Sequence, residues 1–205
     1  MANYTFYTNP MSRGQIARWA LHEVGVTYQQ VLVDWADKPA AFLAANPMGK
    51  VSVLVHHAAE GDRVVTECAG ICAYLADGTE LAPAEAERAD YHRWLFFAAG
   101  PLEQAIVARS MGWQVPDGRA GMVGFGSFDR TMDTLDGLLA GREWVCGDRF
   151  TIADVYVGSQ VDWGLAFGSI PARDAFGRYA ARLRARAAYQ AAKAIDNALI
   201  AERQK

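Results

Sequence analysis

The chain has 205 residues, 52% of them hydrophobic and 21% charged. That balance belongs to a globular protein with a core of its own and excludes a disordered or fibrous chain. A net charge of −3 argues against the basic face that nucleic-acid binding needs. The cysteines Cys68, Cys72 and Cys146 are too few, and odd in number, for a disulfide framework, and suit a reducing compartment. There is no apolar run of about 18 residues to cross a membrane. The stretch Met1 to Phe6 lacks the basic and apolar regions of a signal peptide. The expectation is a soluble cytoplasmic protein with neither nucleic acid nor membrane as partner.

In chain order, Tyr4 to Tyr7 is a short β-prone run ended by the turn signal Asn9-Pro10. From Arg13 the period changes. Ile16, Trp19, Ala20 and Val24 recur at helical spacing, and Gly25 is placed to cap the helix C-terminus. Thr27 to Val33 is β-prone again, and a loop follows it. Val51 to Val55 is a third strand, and Glu60-Gly61-Asp62 turns the chain back into Val64-Val65. Glu67 to Ala76 is helical, with Ile71 and Leu75 toward a core. The order β-α-β, loop, β-β-α predicts an α/β domain over residues 1–78, a four-stranded mixed sheet with helices packed on it.

Residues 79–86 read as a linker. Residues 87–205 read as an all-helical domain, punctuated at Gly100-Pro101, Val115-Pro116-Asp117-Gly118 and Ile170-Pro171. Gly118 to Gly126 is glycine-rich, but its spacing matches no phosphate-binding loop, so it reads as a flexible connection. The basic run Arg178, Arg182, Arg184 and Arg186 reads as a solvated helix face with acidic neighbours elsewhere. Cys68 and Cys72, four apart, have neither a redox nor a metal-site spacing and read as small packing residues. No metal site is expected.

Four stretches bear on chemistry. Ser12 sits where the chain enters the first helix, and a helix N-terminus stabilises an anion such as a thiolate. Capping is the commoner fate of a serine there. Asn46-Pro47-Met48-Gly49-Lys50-Val51 enters a strand whose exposed backbone could pair with an extended peptide. Lys50 could meet a carboxylate, or be an ordinary surface lysine. Thr66-Glu67-Cys68 opens another helix. Its N–H groups offer an anion site beside the Glu67 carboxylate, which suits the carboxylate and ammonium of an amino-acid end. Alternatively, Glu67 only meets the helix dipole. In Gly147-Asp148-Arg149-Phe150-Thr151-Ile152-Ala153-Asp154, Thr151 and Asp154 have the spacing of a capping box, a structural device.

Taken together and in this order, these motifs resemble those of the cytosolic-type glutathione transferases, of bacterial kind, over essentially the whole chain. The resemblance implies a thioredoxin-like N-terminal domain, an all-helical C-terminal domain and a homodimer. It implies glutathione as co-substrate, with Lys50 at the glycyl carboxylate, Val51 pairing its backbone with the cysteinyl segment, and Glu67 and Cys68 at the γ-glutamyl end. Trp35 would cover the tripeptide. Ser12 is the first candidate for the group that hydrogen-bonds the thiolate, with Asn9 and Tyr7 as alternatives. Met111, Trp113, Trp163 and Phe167 are candidates for the wall of an electrophile pocket, each with helical core as its plainer reading.

Two positions depart from the family pattern. Ser52 stands where the family has a cis-proline, so the Val51–Ser52 bond is either cis or trans with a reshaped loop. Cys68 stands where the family has a serine. The implied activity is transfer of glutathione to a hydrophobic electrophile, in detoxification. The rivals are a non-enzymatic binding protein of the same fold, or a glutathione-dependent isomerase, dehalogenase or peroxidase. Fold does not choose among these.

Overall fold

Strand β1 (Tyr4–Thr8) alternates its side chains across a pleat, so its neighbours sort onto two faces. It pairs in parallel with β2 (Tyr28–Leu32) and antiparallel with β3 (Val53–Ala58), which pairs antiparallel with β4 (Gly61–Thr66). The sheet order is β2-β1-β3-β4, the mixed four-stranded sheet the sequence predicts. Phe6 and Leu54 are register partners on one face, both fully buried. Tyr7 and Val53 are partners on the other, where Val33, Phe42 and Val55 complete an apolar cluster. Each fully buried side chain of this kind contributes roughly 1.5–3 kcal/mol. This computed structural model describes residues 3–204, so Met1 and Ala2 of the leader reading, and Lys205, lie outside the described residues.

Helix α1 (Gly14–Val24) ends as its sequence predicts. Gly25 takes φ 73°, and its N–H donates to the Leu21 carbonyl at 3.0 Å. The segment read as a featureless loop contains a short helix, α2 (Ala40–Ala45), which seats the fully buried Phe42. Six residues with one buried side chain carry too little periodicity to be seen in sequence. Helix α3 is Cys68–Ala76.

The chain divides into two units, Met1–Thr79 with Ala185–Lys205, and Glu80–Arg184. The end of the chain therefore groups with the sheet, whereas the sequence reading carries the helical domain through residue 205. Composition identifies α9 (Ala187–Arg203) as a helix but does not say what it packs on. Its partner is α1. Arg18 Nε donates to Asp196 Oδ1 at 2.9 Å, with both side chains 1% exposed. Arg186 makes a two-pronged pair with Glu23 at 2.6 and 2.7 Å.

The second unit holds α4 (Arg88–Phe97) and α5 (Glu103–Ser110), joined through a wide turn at Ala98–Leu102. Pro101, which has no N–H to give to a helical ladder, sits in that turn. Then come α6 (Phe128–Ala140), α7 (Ile152–Ala166) and α8 (Asp174–Arg184). Residues 152–162 of α7 are all buried. Arg149 clamps the segment read as a linker, donating to the Glu80 carbonyl, to the Ala82 carbonyl at 2.9 Å and to the Glu87 carboxylate. The basic run meets acidic neighbours from elsewhere in the chain, as read, with Arg178 and Arg184 exposed. Arg184 pairs with Asp162 at 2.6 Å, Arg182 donates to the Glu143 carbonyl at 2.7 Å, and Arg186 holds Glu23. Their acidic and carbonyl partners lie 22 to 163 positions away, beyond the reach of local pattern. Among the described residues, no helix is long and apolar enough to cross a membrane.

Candidate functional site

The turn from β1 into α1 is built around two short polar side chains. Asn9 is fully buried. Its Nδ2 donates to the Val33 carbonyl at 2.9 Å, and its Oδ1 accepts from the Met11 N–H at 2.9 Å. Asn9 thus ties the turn to the chain leaving β2 and closes the turn itself. Ser12 Oγ donates to the Asn9 carbonyl at 2.6 Å and accepts from the Gly14 N–H at 2.9 Å. The serine thus accepts from one free amide at the start of α1, that of Gly14. Gly14 is required by a close approach: a Cβ there would collide with Thr8 Oγ1 and lie 3.1 Å from the Asn9 carbonyl oxygen and Ser12 Oγ. The structure brings Asn9 and Ser12 together. Tyr7 has its ring against Phe42, with centroids 5.7 Å apart, in the apolar cluster.

A second cluster forms at the start of α3. Glu67 precedes the helix at φ 61°, ψ 120°, the one positive-φ residue other than glycine among those described. Such a conformation costs a non-glycine residue about 1–3 kcal/mol and is concentrated at functional positions. The Glu67 side chain is exposed, while Cys68 is buried behind it. Cys68 Sγ donates to the Arg13 carbonyl at 3.4 Å and lies 3.5 Å from Ser52 Oγ. The starts of α1 and α3 and the entry to β3 are thus laced together through one thiol. Cys72, one turn on, is fully buried, and burial pushes its thiol well above the ordinary range, which makes it a packing residue.

The Val51–Ser52 peptide bond is cis, one of the two conformations that the departure from proline leaves open. The loop before it is held by Asn46, whose Nδ2 donates to the Lys50 carbonyl at 2.8 Å and whose Oδ1 accepts from the Met48 N–H at 3.2 Å. Lys50 is exposed and Val51 half-buried. The sequence reading assigns Asn46 no role of its own. The signal for one is its place before Pro47, where an asparagine side chain often closes a turn.

Residues 2–77 match the glutathione S-transferase N-terminal domain and residues 104–163 the C-terminal domain. The chain is 31% identical to Glutathione S-transferase 3 of Zea mays over 170 residues, 75% of each protein. It belongs to the glutathione S-transferase family. A glutathione transferase from Methylococcus capsulatus superposes with a TM-score of 0.74 at 26% identity, covering 95% of this chain and 98% of that one. A sphingomonad glutathione S-transferase, solved in complex with glutathione, gives 0.74 at 29% identity over 94% and 98%.

The remaining candidate residues of this transferase-family chain are spread over both units. Trp35 is 49% exposed, in the loop after β2. Trp113 lines a groove of about 420 Å³ in the second unit, with Val115, Pro116, Met122 and Phe125 around it and Arg119 at its side. Met111 and Phe167 are exposed and Trp163 half-buried. These three are not among the residues lining the groove. Helical core, the plainer reading of each, does not describe the two exposed ones.

Proposed function

We propose that this chain binds reduced glutathione on its first unit and promotes attack of the glutathione thiolate on an apolar electrophile, with Ser12 donating to the sulfur. The observation that carries the reading is the Ser12 hydroxyl at the start of α1. It is a donor whose hydrogen needs only a rotation about Cβ–Oγ to leave the Asn9 carbonyl. A thiolate is a charged acceptor, and hydrogen bonds to charged groups are worth about 1.5–3 kcal/mol against about 1 for neutral pairs, so the exchange is favourable. The partial positive charge of the helix N-terminus adds to it. Thiolate is the reacting form, so holding the pKa near neutrality raises the reactive fraction.

The rest of the tripeptide follows the same logic. Glu67 would meet the ammonium of the γ-glutamyl end, and the N–H groups of Cys68 and Ala69 its carboxylate. Val51 would pair its backbone with the cysteinyl segment, Lys50 would meet the glycyl carboxylate, and Trp35 would cover the ligand. The sphingomonad relative's complex with glutathione supports this class of ligand. The apolar lining of the Trp113 groove suits a hydrophobic second substrate. A homodimer in the cytoplasm completes the proposal, and the lack of a disulfide at Cys68, Cys72 and Cys146 fits a reducing compartment.

The test is thiolate formation, followed by ultraviolet absorbance across pH for the parent protein, Ser12→Ala and Asn9→Ala. Loss of the Ser12 bond should raise the bound thiol's pKa by about one to two units. If both variants keep the parent titration, neither side chain activates the thiol. A second reading, a glutathione-binding protein without turnover, is favoured by the bond from Ser12 Oγ to the Asn9 carbonyl. A hydroxyl that stays there caps the helix and does no more. In that case Ser12→Ala leaves the titration unchanged while calorimetry still finds glutathione binding.

A further inference from the structure

Helices α1 and α9 pair antiparallel in steps of about one turn. Glu23 meets Arg186, Trp19 stacks edge-on against Tyr189 with centroids 5.1 Å apart, and Gln15 meets Lys193. The last of these contacts leads out of the helix pair. Lys193 Nζ donates to Gln15 Oε1 at 2.7 Å, and Gln15 Nε2 donates to the Pro10 carbonyl at 2.5 Å. Pro10 is buried in the turn between Asn9 and Ser12.

We propose that Lys193 and Gln15 are positioning residues for the Ser12 turn, the C-terminal helix reaching through one glutamine to hold the Pro10 carbonyl. The role rests on the assignment of Ser12 to the glutathione thiol. Donor and acceptor chemistry makes glutamine the right adaptor. An ammonium only donates and a carbonyl only accepts, so the group between them must accept on one side and donate on the other. Lysine facing Oε1 also fixes the amide orientation, and that aims Nε2 at Pro10. The neighbouring Arg18–Asp196 pair holds the two helices in register, so the reach from α9 to the turn is set by rigid elements at both ends. Among the bonds that hold the turn are those from Asn9 to the Val33 carbonyl, from Ser12 to the Asn9 carbonyl, and from Gln15 to Pro10. The last of these is supplied through the C-terminal helix.

The test is a pair of readouts on Gln15→Met, a neutral change of similar length that cuts both bonds. Hydrogen exchange in ligand-free protein is read at the Met11 and Gly14 amides, which bond to Asn9 Oδ1 and Ser12 Oγ. It should quicken about tenfold, while the Ile71 amide in α3 does not change. The bound glutathione titration should move up by roughly half a pH unit or more, with glutathione affinity little altered. Lys193→Met should act in the same direction, and Lys193→Arg should restore parent behaviour. Unchanged exchange at Met11 and Gly14, or exchange that rises only in step with Ile71, overturns the proposal. A parent protein that forms no glutathione thiolate overturns the Ser12 assignment instead, and the exchange rates, measured without glutathione, still decide whether the tie orders the turn.

Discussion

The starts of α7 and α1 use the same helix electrostatics to opposite ends. At α7 the chain supplies its own anion. Asp154 is fully buried, and its carboxylate accepts from the Val145 N–H at 2.8 Å, the Thr151 N–H at 2.9 Å, the Thr151 hydroxyl at 3.3 Å and the Tyr179 hydroxyl at 2.8 Å. No capacity is left there for a ligand. At α1 there is no acid in the first turn, only the neutral Ser12 hydroxyl, and α3 likewise carries none. A helix N-terminus attracts negative charge wherever it finds it. Where the sequence provides that charge the end is structural. Where it provides only a hydroxyl or a thiol in that place, as at α1 and α3, the charge is left to the ligand we propose.

The largest effect that would break this contrast is Asp154→Ala. Removing the carboxylate strands two backbone N–H groups and two hydroxyls in a dry interior. A loss of about 3–5 kcal/mol in urea unfolding is expected. A loss below about 1 kcal/mol would mean the α7 start is not the anchor described. The same carboxylate carries a pH signature. Burial lifts its pKa to about 6, against the pull of its donors. The unfolded chain releases that proton near pH 4. Between these values the folded state binds more protons, so its stability falls as pH rises from about 4 to about 6, by on the order of 2–3 kcal/mol. Asp154→Asn should flatten that slope, and an undiminished slope in the variant would assign it to other groups.

Gly14→Ala tests the α1 side. The new methyl would be driven into Thr8 Oγ1 and the Asn9 carbonyl, and overpacking of this kind costs about 1–3 kcal/mol. Thiolate formation should suffer more than stability, because the turn that presents Ser12 must shift. A variant with parent-like titration would detach Ser12 geometry from activation.

Much of this is legible in the order of the amino acids, and the boundary of legibility is physical. The mixed sheet, the Gly25 cap and the break at Pro101 all follow from local chemistry, in periodicity, turn residues and a missing N–H. So does the Thr151–Asp154 pairing, three positions apart. What escapes local chemistry is long-range. That α9 belongs with the sheet unit depends on Arg18 meeting Asp196, 178 positions on. Gln15 reads like any polar residue on a helix, because its meaning comes from Lys193 and Pro10 together. At the β1–α1 turn the family resemblance puts Ser12 first, with Asn9 and Tyr7 as alternatives, and the hydrogen-bond partners of these side chains come only from the fold. Asn9 has both ends of its amide engaged in holding the turn, while Ser12 keeps a rotatable hydroxyl.

The finest test of the comparison is Glu67→Gly, where stability and binding should part company. Glycine adopts φ 61° without the steric cost that glutamate bears, which relieves about 1 kcal/mol or more. It also raises the entropy of the unfolded chain, which costs roughly 0.5–1 kcal/mol. The two nearly cancel, so the thermal midpoint should move by only a few degrees. The exposed carboxylate adds to neither side of that balance if it serves only a ligand. Glutathione affinity should nonetheless drop about tenfold, the loss of one charged contact to the γ-glutamyl ammonium. Glu67→Gln should fall between the two, keeping an acceptor without the charge. A Glu67→Gly protein that binds glutathione as tightly as its parent would leave the strained residue to the fold alone, and α3 would then join α7 as a start whose chemistry is spent on the chain itself.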